Sequence, residues 1–172
     1  MKTLKKFKLF LSADLEKEAE WLTQMSEKGF HFVKHKGVFY YFEEDSTKSY
    51  IYQTDFQEPN DEYFQLYELA GWEHVHTAIS QFHYFRAEKD KIGDQRIYSD
   101  ASSIKNMYQR MLSFYLVLFL CVIVAQTGVF LTWEGHLYQK IALALVLMVV
   151  VLYVFLFAEL LRKMKKHKNS KG

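Results

Sequence analysis

The chain has 172 residues, a formal net charge of +2 and a single cysteine, so an intramolecular disulfide and a cysteine zinc site are excluded. The charge is unevenly distributed along the chain. Residues 1–98 carry 13 basic and 17 acidic residues, whereas residues 99–172 carry 9 basic and 3 acidic residues. An acidic N-terminal part has no electrostatic footprint for nucleic acid, so we expect no nucleic-acid partner.

The first part of the chain predicts a strand, a helix and an aromatic hairpin. The strand-like segment FKLFLS precedes a helix that begins at Ser12 or Asp14, where a side-chain oxygen can accept an unpaired N–H. Apolar residues recur every three or four positions on this helix and predict its buried stripe: Leu15, Ala19, Leu22 and Met25. Gly29 can adopt the left-handed conformation that ends the helix, and the hairpin turns near Lys36-Gly37.

The next part repeats this order. The segment SYIYQTDF predicts a strand, and a helix follows Pro59 with Asn60 as its cap. Its predicted buried stripe consists of Tyr63, Leu66, Tyr67 and Ala70. Gly71 ends this helix, and the second hairpin is predicted to turn at Ser80-Gln81.

An internal similarity supports this reading. Aligning residues 20–30 with 62–72 places Trp21 on Tyr63 and Gly29 on Gly71. The fold class is therefore predicted to be α+β, with tandem strand-helix-strand-strand repeats at about 5–45 and 49–89 in a cytoplasmic domain, residues 1–89.

Two apolar runs predict a transmembrane hairpin over residues 111–161, with spans at 111–132 and 141–161. At about 1.5 Å per residue each run reaches across a bilayer of roughly 30 Å. A polar linker, 90–110, precedes them and a basic tail, 162–172, follows. Because Lys and Arg flank the hairpin on the side of both termini, we expect a two-pass protein of the cell membrane with both termini cytoplasmic.

Five segments resemble a known family: KKFKLF, EKEAEWLTQMSEKGF, SYIYQTDF, ELAGWEHV and FHYFRAEK. Over residues 4–89 the chain is similar to the membrane proteins of low-GC Gram-positive bacteria catalogued as domain of unknown function 2812. The resemblance implies a cytoplasmic domain followed by membrane helices, and genes that often neighbour PadR-like regulators. No catalytic residues are established for the family, so it implies none here.

The order of elements also resembles the GyrI-like ligand-binding domains, whose cleft accepts hydrophobic and often cationic small molecules. This resemblance is topological and implies a site of aromatic and acidic residues. The candidates are Trp21, Tyr63, Tyr67, Trp72 and Tyr84, with Glu20 and Glu62 as acidic partners, and with Tyr40, Phe42, Tyr52, Phe85 and Glu68 as further members. The alternative is that these rings fill the domain core.

Three histidines form the remaining candidate cluster. A two-residue turn at Ser80-Gln81 would place His74, His76 and His83 on one face, where three imidazoles can ligate zinc. A slip of one residue would separate them, and histidines in solvent or in hydrogen bonds are the alternative. We therefore predict no metal site.

Catalytic motifs are absent from the sequence, which has no phosphate-binding Gly-rich loop, no HExxH and no nucleophile elbow. The expected function is a non-enzymatic, cofactor-free sensor or regulatory binding module, anchored in the lipid bilayer. Its partner would be a small hydrophobic or cationic ligand or a protein, membrane-bound or regulatory. The alternative is an accessory or scaffold subunit that docks through its spans onto another membrane protein.

Overall fold

The structure is a computed structural model that describes residues 3–92 and 101–168. The chain divides into two compact units, Met1–Ser103 and Ile104–Gly172. The first contains all the strands, and the second contains most of two long helices.

The first unit contains the order strand, helix, strand, strand twice, as predicted. Its first half comprises β1 (Thr3–Phe7), α1 (Leu15–Ser26), β2 (Phe30–Lys36) and β3 (Phe39–Glu44). Its second half comprises β4 (Tyr50–Phe56), α2 (Asp61–Leu69), β5 (Glu73–Ala78) and β6 (Phe82–Glu88), and a short helix, α3 (Lys89–Ile92), follows. Each half forms an antiparallel three-stranded sheet, in the orders β1-β3-β2 and β4-β6-β5. The α+β prediction is confirmed, and corresponding strands hold corresponding places in both sheets.

Helix α1 begins after one turn of 3-10 helix, Ser12–Asp14. Asp14 makes no side-chain cap hydrogen bond and instead forms an ion pair with Lys17 at 2.7 Å. Asp14 is the N-cap of α1, one of the two predicted starting positions, but the side-chain hydrogen bond predicted for it is absent. The predicted stripe is confirmed, since all four of its apolar side chains are buried. Gly29 has φ +80°, as expected for the residue that ends the helical path.

Helix α2 begins at the predicted cap, where the Asn60 side chain accepts a hydrogen bond from the Tyr63 N–H at 2.7 Å. At its C-terminus Gly71 has φ +83°, and the Trp72 N–H donates to the Tyr67 carbonyl. The predicted stripe is only half correct. Tyr63 is buried, whereas Leu66 is 60% exposed and Ala70 is also exposed.

The central strand of the second sheet, β6, is buried on both faces. His83 and Phe85 contact Tyr63 of α2, with ring centroids 5.3 and 5.9 Å apart. Tyr84 points the other way and packs 5.1 Å from Phe32 of the first sheet. Beside it, the Phe32 N–H donates to the Tyr52 hydroxyl at 3.0 Å. The second sheet is thus a middle layer between α2 and the first half of the domain.

The second hairpin turns one residue earlier than predicted. Ile79 and Ser80 are its central residues, with φ +50° and +59°, and the Gln81 N–H donates to the Ala78 carbonyl. Strand pairing therefore places Thr77 opposite His83, and the register shifts between His74 and His76. His76 is consequently opposite Tyr84, and the prediction that His74, His76 and His83 share one face was wrong.

The second unit is dominated by α4 (Ala101–Leu131) and α5 (Leu137–Lys168). Both are long and apolar enough to cross a membrane, over Ser103–Leu131 and Leu137–Lys166. They contact each other where the Phe119 ring lies 5.1 Å from Tyr153. Gln139 orders the connecting loop, since its side chain accepts from the Glu134 and His136 N–H groups and donates to the Thr132 carbonyl. Residues 101–110 of the predicted linker are helical, and 93–100 lie outside the described residues.

Candidate binding groove

A groove opens beside the two hairpin turns of the first unit. Its cavity volume is about 110 Å³. Its lining comes from the segment between β1 and α1, from α1 itself, and from the hairpins β2–β3 and β5–β6. Apolar side chains surround the mouth: Leu9, Leu11, Val38 and Ile79. The polar floor consists of Glu18, His35, Tyr40 and Tyr84.

Glu18 is the one carboxylate that lines this groove. It projects from the buried stripe of α1 and is 4% exposed. The Tyr40 hydroxyl donates a hydrogen bond to Glu18 Oε1 at 2.5 Å, and the Tyr84 hydroxyl donates to the same oxygen at 2.9 Å. One tyrosine comes from the central strand of each sheet, so the carboxylate joins the two halves of the domain.

Burial determines the ionisation of these groups. Removal of Glu18 from water raises the pKa of its carboxyl group, and the tyrosine hydrogen bonds only partly oppose this effect. Burial, followed by the negative charge of Glu18, raises the pKa of Tyr40 as well. Tyr40 therefore keeps its proton and acts as a hydrogen-bond donor.

Two imidazoles extend the floor. The His35 ring stacks on Tyr40 with centroids 5.3 Å apart, and His76 lies 5.4 Å from His35. The Nε2 atoms of both histidines are buried without a hydrogen bond to a described residue. Burial, together with the charge of His35, lowers the pKa of His76. A neutral His76 adds no positive charge to offset Glu18 at neutral pH.

The structure places two predicted site residues, Tyr84 and Tyr40, in the groove. Trp21 lies beside it against Tyr40, with centroids 5.0 Å apart, and is partly exposed. Tyr63 and Trp72 belong to a separate buried cluster with Phe85, on which Tyr67 stacks at 4.0 Å. The other candidates lie elsewhere: Glu20 and Glu62 are exposed on their helices, and Phe42 and Tyr52 are buried.

Sequence reasoning missed Glu18, although the signal was present. Glu18 follows Leu15 by three positions and precedes Leu22 by four, so it falls on the buried stripe of α1. Its place in the first turn of α1 also suits the positive end of the helix dipole, where acidic residues are common on the surface. A carboxylate within an apolar stripe is the feature that indicated burial.

The histidines of the second hairpin form a hydrogen-bonded chain. His83 Nε2 donates to the Gln57 carbonyl at 3.0 Å, so a neutral His83 accepts at Nδ1 from the Thr77 hydroxyl. His74 Nε2 then donates to Thr77 at 2.8 Å. Burial lowers the pKa of both His74 and His83, which favours these neutral forms. Residues 3–92 and 101–168 contain no cluster of three metal-ligating side chains.

A larger depression of about 510 Å³ lies near the start of α3 and is polar. Three of its charged side chains form ion pairs, Glu27 with the neighbouring Lys89 and Lys48 with Glu88. It presents no buried charge, so the groove at Glu18 is the better candidate site.

Comparison with known families agrees with the resemblance found in the sequence. The family described as Protein of unknown function (DUF2812) matches residues 14–120, more than half of the chain. The chain belongs to this family. The match extends past the strand-containing first unit into α4, so the family pattern includes the start of the first apolar helix. No match to this chain was found among curated proteins or among solved structures.

Proposed function

We propose that this protein is a membrane-anchored, non-enzymatic binding module whose cytoplasmic domain senses a small hydrophobic cation in the groove at Glu18. The observation that supports the proposal is a buried carboxylate in an aromatic groove. Both of its hydrogen bonds go to Oε1, and among the described residues Glu18 forms no ion pair. The charge of His35 acts on Glu18 without an ion pair, and a cationic ligand would supply a direct counter-charge.

The chemistry of the walls favours an organic cation over a hydrated metal ion. Aromatic faces attract a desolvated cation, and Tyr40, Tyr84, Phe10 and Phe82 surround the carboxylate. The cavity is smaller than the roughly 300 to 1,000 Å³ of typical ligand pockets. Only a compact charged head would therefore enter, while the apolar body of the ligand would contact Leu9, Leu11 and Ile79 at the mouth.

The anchoring part of the proposal depends on α4 and α5. Basic residues lie at the ends of both helices away from the loop, at Lys105 and Arg110 and at Arg162 to Lys166. The short connecting loop, residues 132–136, carries Glu134, and Lys140 lies in the first turn of α5. This distribution supports a cell-membrane hairpin with both termini in the cytoplasm. The family resemblance implies genes that often neighbour PadR-like regulators, and this implication supports a regulatory role for the domain.

Binding can be measured with hexyltrimethylammonium, which combines a compact cationic head with an apolar tail. The full chain in lipid nanodiscs should bind it saturably in titration calorimetry, and Glu18→Gln should weaken binding at least tenfold. Glu20→Gln is the matched control, because it removes one negative charge from the exposed side of the same helix. A neutral analogue with a tert-butyl head should bind much more weakly. Equal effects of the two substitutions, or absence of saturable binding at millimolar concentration, would reject the proposal.

Topology has its own test. In a Cys121→Ser background, a cysteine placed at Gly135 in the α4–α5 loop should react with an impermeant maleimide in intact cells. Reaction only after lysis would place the loop inside and the domain outside.

A further inference from the structure

One end of the first unit is both apolar and basic. This surface, the basic apolar tip, comprises residues 3–11, 34–39 and 78–82. Five of its large apolar side chains are exposed: Phe7, Leu9, Leu11, Phe39 and Ile79. Leu9 is 66% exposed and Ile79 is 73% exposed, which is unusual for aliphatic residues that have a core available beside them.

These side chains form a continuous surface. The Phe7 and Phe39 rings contact each other, with centroids 5.9 Å apart. The Lys8 N–H donates to the Val38 carbonyl at 3.0 Å, which holds the segment after β1 against the first hairpin turn. Leu9, Leu11 and Ile79 border the same groove mouth. Contiguous exposed apolar surface of this kind marks an interaction site.

The charge of the tip opposes that of the rest of the domain. Residues 3–11 and 34–39 contain five lysines and no Asp or Glu, although residues 1–98 as a whole carry four more acidic than basic residues. Two of these lysines lie over aromatic rings of the tip, with Lys5 Nζ 4.0 Å from the centroid of the exposed Phe39 ring and Lys8 Nζ 5.7 Å from that of the half-buried Phe10 ring. The tip thus has ammonium groups around exposed apolar side chains. It suits a partner whose surface is anionic and whose interior is apolar.

Ile79 supplies an independent observation. It occupies a turn position with φ +50°, where a β-branched residue is strained and Asn or Gly is the usual choice. The side chain gains no burial in return, because it projects into solvent. Strain retained at an exposed apolar residue indicates a function at that position.

We propose that the basic apolar tip docks on an anionic lipid surface. Lysines are attracted to the negative potential of such a surface, and exposed Leu, Ile and Phe side chains enter the boundary between headgroups and acyl chains. Three of the five exposed side chains, Leu9, Leu11 and Ile79, are aliphatic and cannot stack on bases, which favours lipid over nucleic acid. The chain also contains two helices that are able to cross a membrane, which would keep the domain close to lipid. This surface interaction needs no ligand at Glu18 and goes beyond the function proposed above.

The test uses the full chain with Cys121→Ser and Ile79→Cys, labelled with an NBD fluorophore and reconstituted in vesicles. In phosphatidylcholine vesicles containing phosphatidylglycerol, NBD emission should shift to the blue and be quenched by nitroxide-labelled lipid. Both effects should decrease in pure phosphatidylcholine and at high salt. The same label on Gln65→Cys, an exposed position of α2, should remain accessible to water and unquenched.

Two triple variants separate specific docking from net charge. Replacing Lys5, Lys6 and Lys8 by Gln should lower the docking equilibrium at least tenfold. Replacing Lys17, Lys28 and Lys48 by Gln changes net charge equally, outside the tip, and should have much less effect. The proposal fails if the two variants behave alike, or if the labels at 79 and 65 report the same environment. A larger response of the label at 79 to an oligonucleotide than to anionic vesicles would also reject it, in favour of nucleic acid.

Discussion

Trp21 of α1 and Tyr63 of α2 occupy equivalent places in the two halves of the domain. The Trp21 ring contacts Tyr40 and Phe42 of β3, with centroids 5.0 and 5.6 Å apart. Tyr63 contacts the corresponding residues of β6 at 5.3 and 5.9 Å. In each half, an aromatic side chain of the helix packs on alternate residues of the central strand. These contacts support the alignment of residues 20–30 with 62–72 made from the sequence.

The two rings differ in burial, and this difference gives the first prediction. Tyr63 is buried and its hydroxyl donates to Asp55, which is itself fully buried. Tyr63→Ala should therefore lower the free energy of unfolding by about 3–5 kcal/mol. Trp21→Ala should cost less, because the ring is partly exposed. Denaturant unfolding of the purified chain, followed by circular dichroism, measures both, and a larger loss for Trp21→Ala would contradict the assignment.

The second prediction compares two glycines with positive φ. A Cβ at Gly29 would lie 3.3 Å from the Ser46 Cα, whereas a Cβ at Gly37 would meet nothing within 4 Å. Each Gly→Ala substitution should lower the free energy of unfolding by roughly 1–2 kcal/mol, because alanine is strained in the left-handed conformation. Gly29→Ala should lower the free energy of unfolding more than Gly37→Ala does, because only at position 29 would the new Cβ crowd a backbone atom. Equal costs in the same denaturation assay would show that the approach to Ser46 is unimportant.

The third prediction concerns the turn at Ile79. Replacing Ile79-Ser80 by Asn-Gly supplies residues that suit positive φ at both positions, so the melting temperature should rise. Because Ile79 is exposed, no core contact is lost. If the substitution destabilises the protein, Ile79 contributes to folding and the argument from strain at the basic apolar tip is weakened.

Local signals explain which features the sequence predicted. Asn60 and Gly71 were identified because a cap and a left-handed stop depend on adjacent residues alone. Leu66 and Ala70 were misplaced because a helix stripe is buried only where another element covers it. The register of the second hairpin was missed because Ile79 adopts a conformation that its residue type disfavours. The groove joins Glu18 to Tyr84, 66 positions away, and depends on sheet pairing that no local pattern encodes.

The fourth prediction follows from the buried Glu18 carboxyl group. Its pKa in the folded state is raised above the ordinary value of 4.5, so the folded protein binds this proton more tightly than the unfolded chain does. The resulting stability is fully present below pH 4.5 and is lost as pH rises through the folded-state pKa. Glu18→Gln has no such proton to lose. Wild-type stability should therefore fall relative to that of the variant as pH rises above 4.5, with a limiting slope of about 1.4 kcal/mol per pH unit.

This comparison cancels the titrating groups that do not interact with Glu18, such as His74 and His83, because they are present in both proteins. Urea unfolding at intervals from pH 3.5 to 8 would give the two curves, with Glu20→Gln as the control for loss of one negative charge on α1. Saturating hexyltrimethylammonium should then restore wild-type stability at high pH and leave Glu18→Gln unchanged, because the ligand stabilises only the ionised carboxylate. A wild-type curve parallel to that of Glu18→Gln would mean that the carboxyl group is better solvated than the groove indicates, and would remove the basis for a cation site.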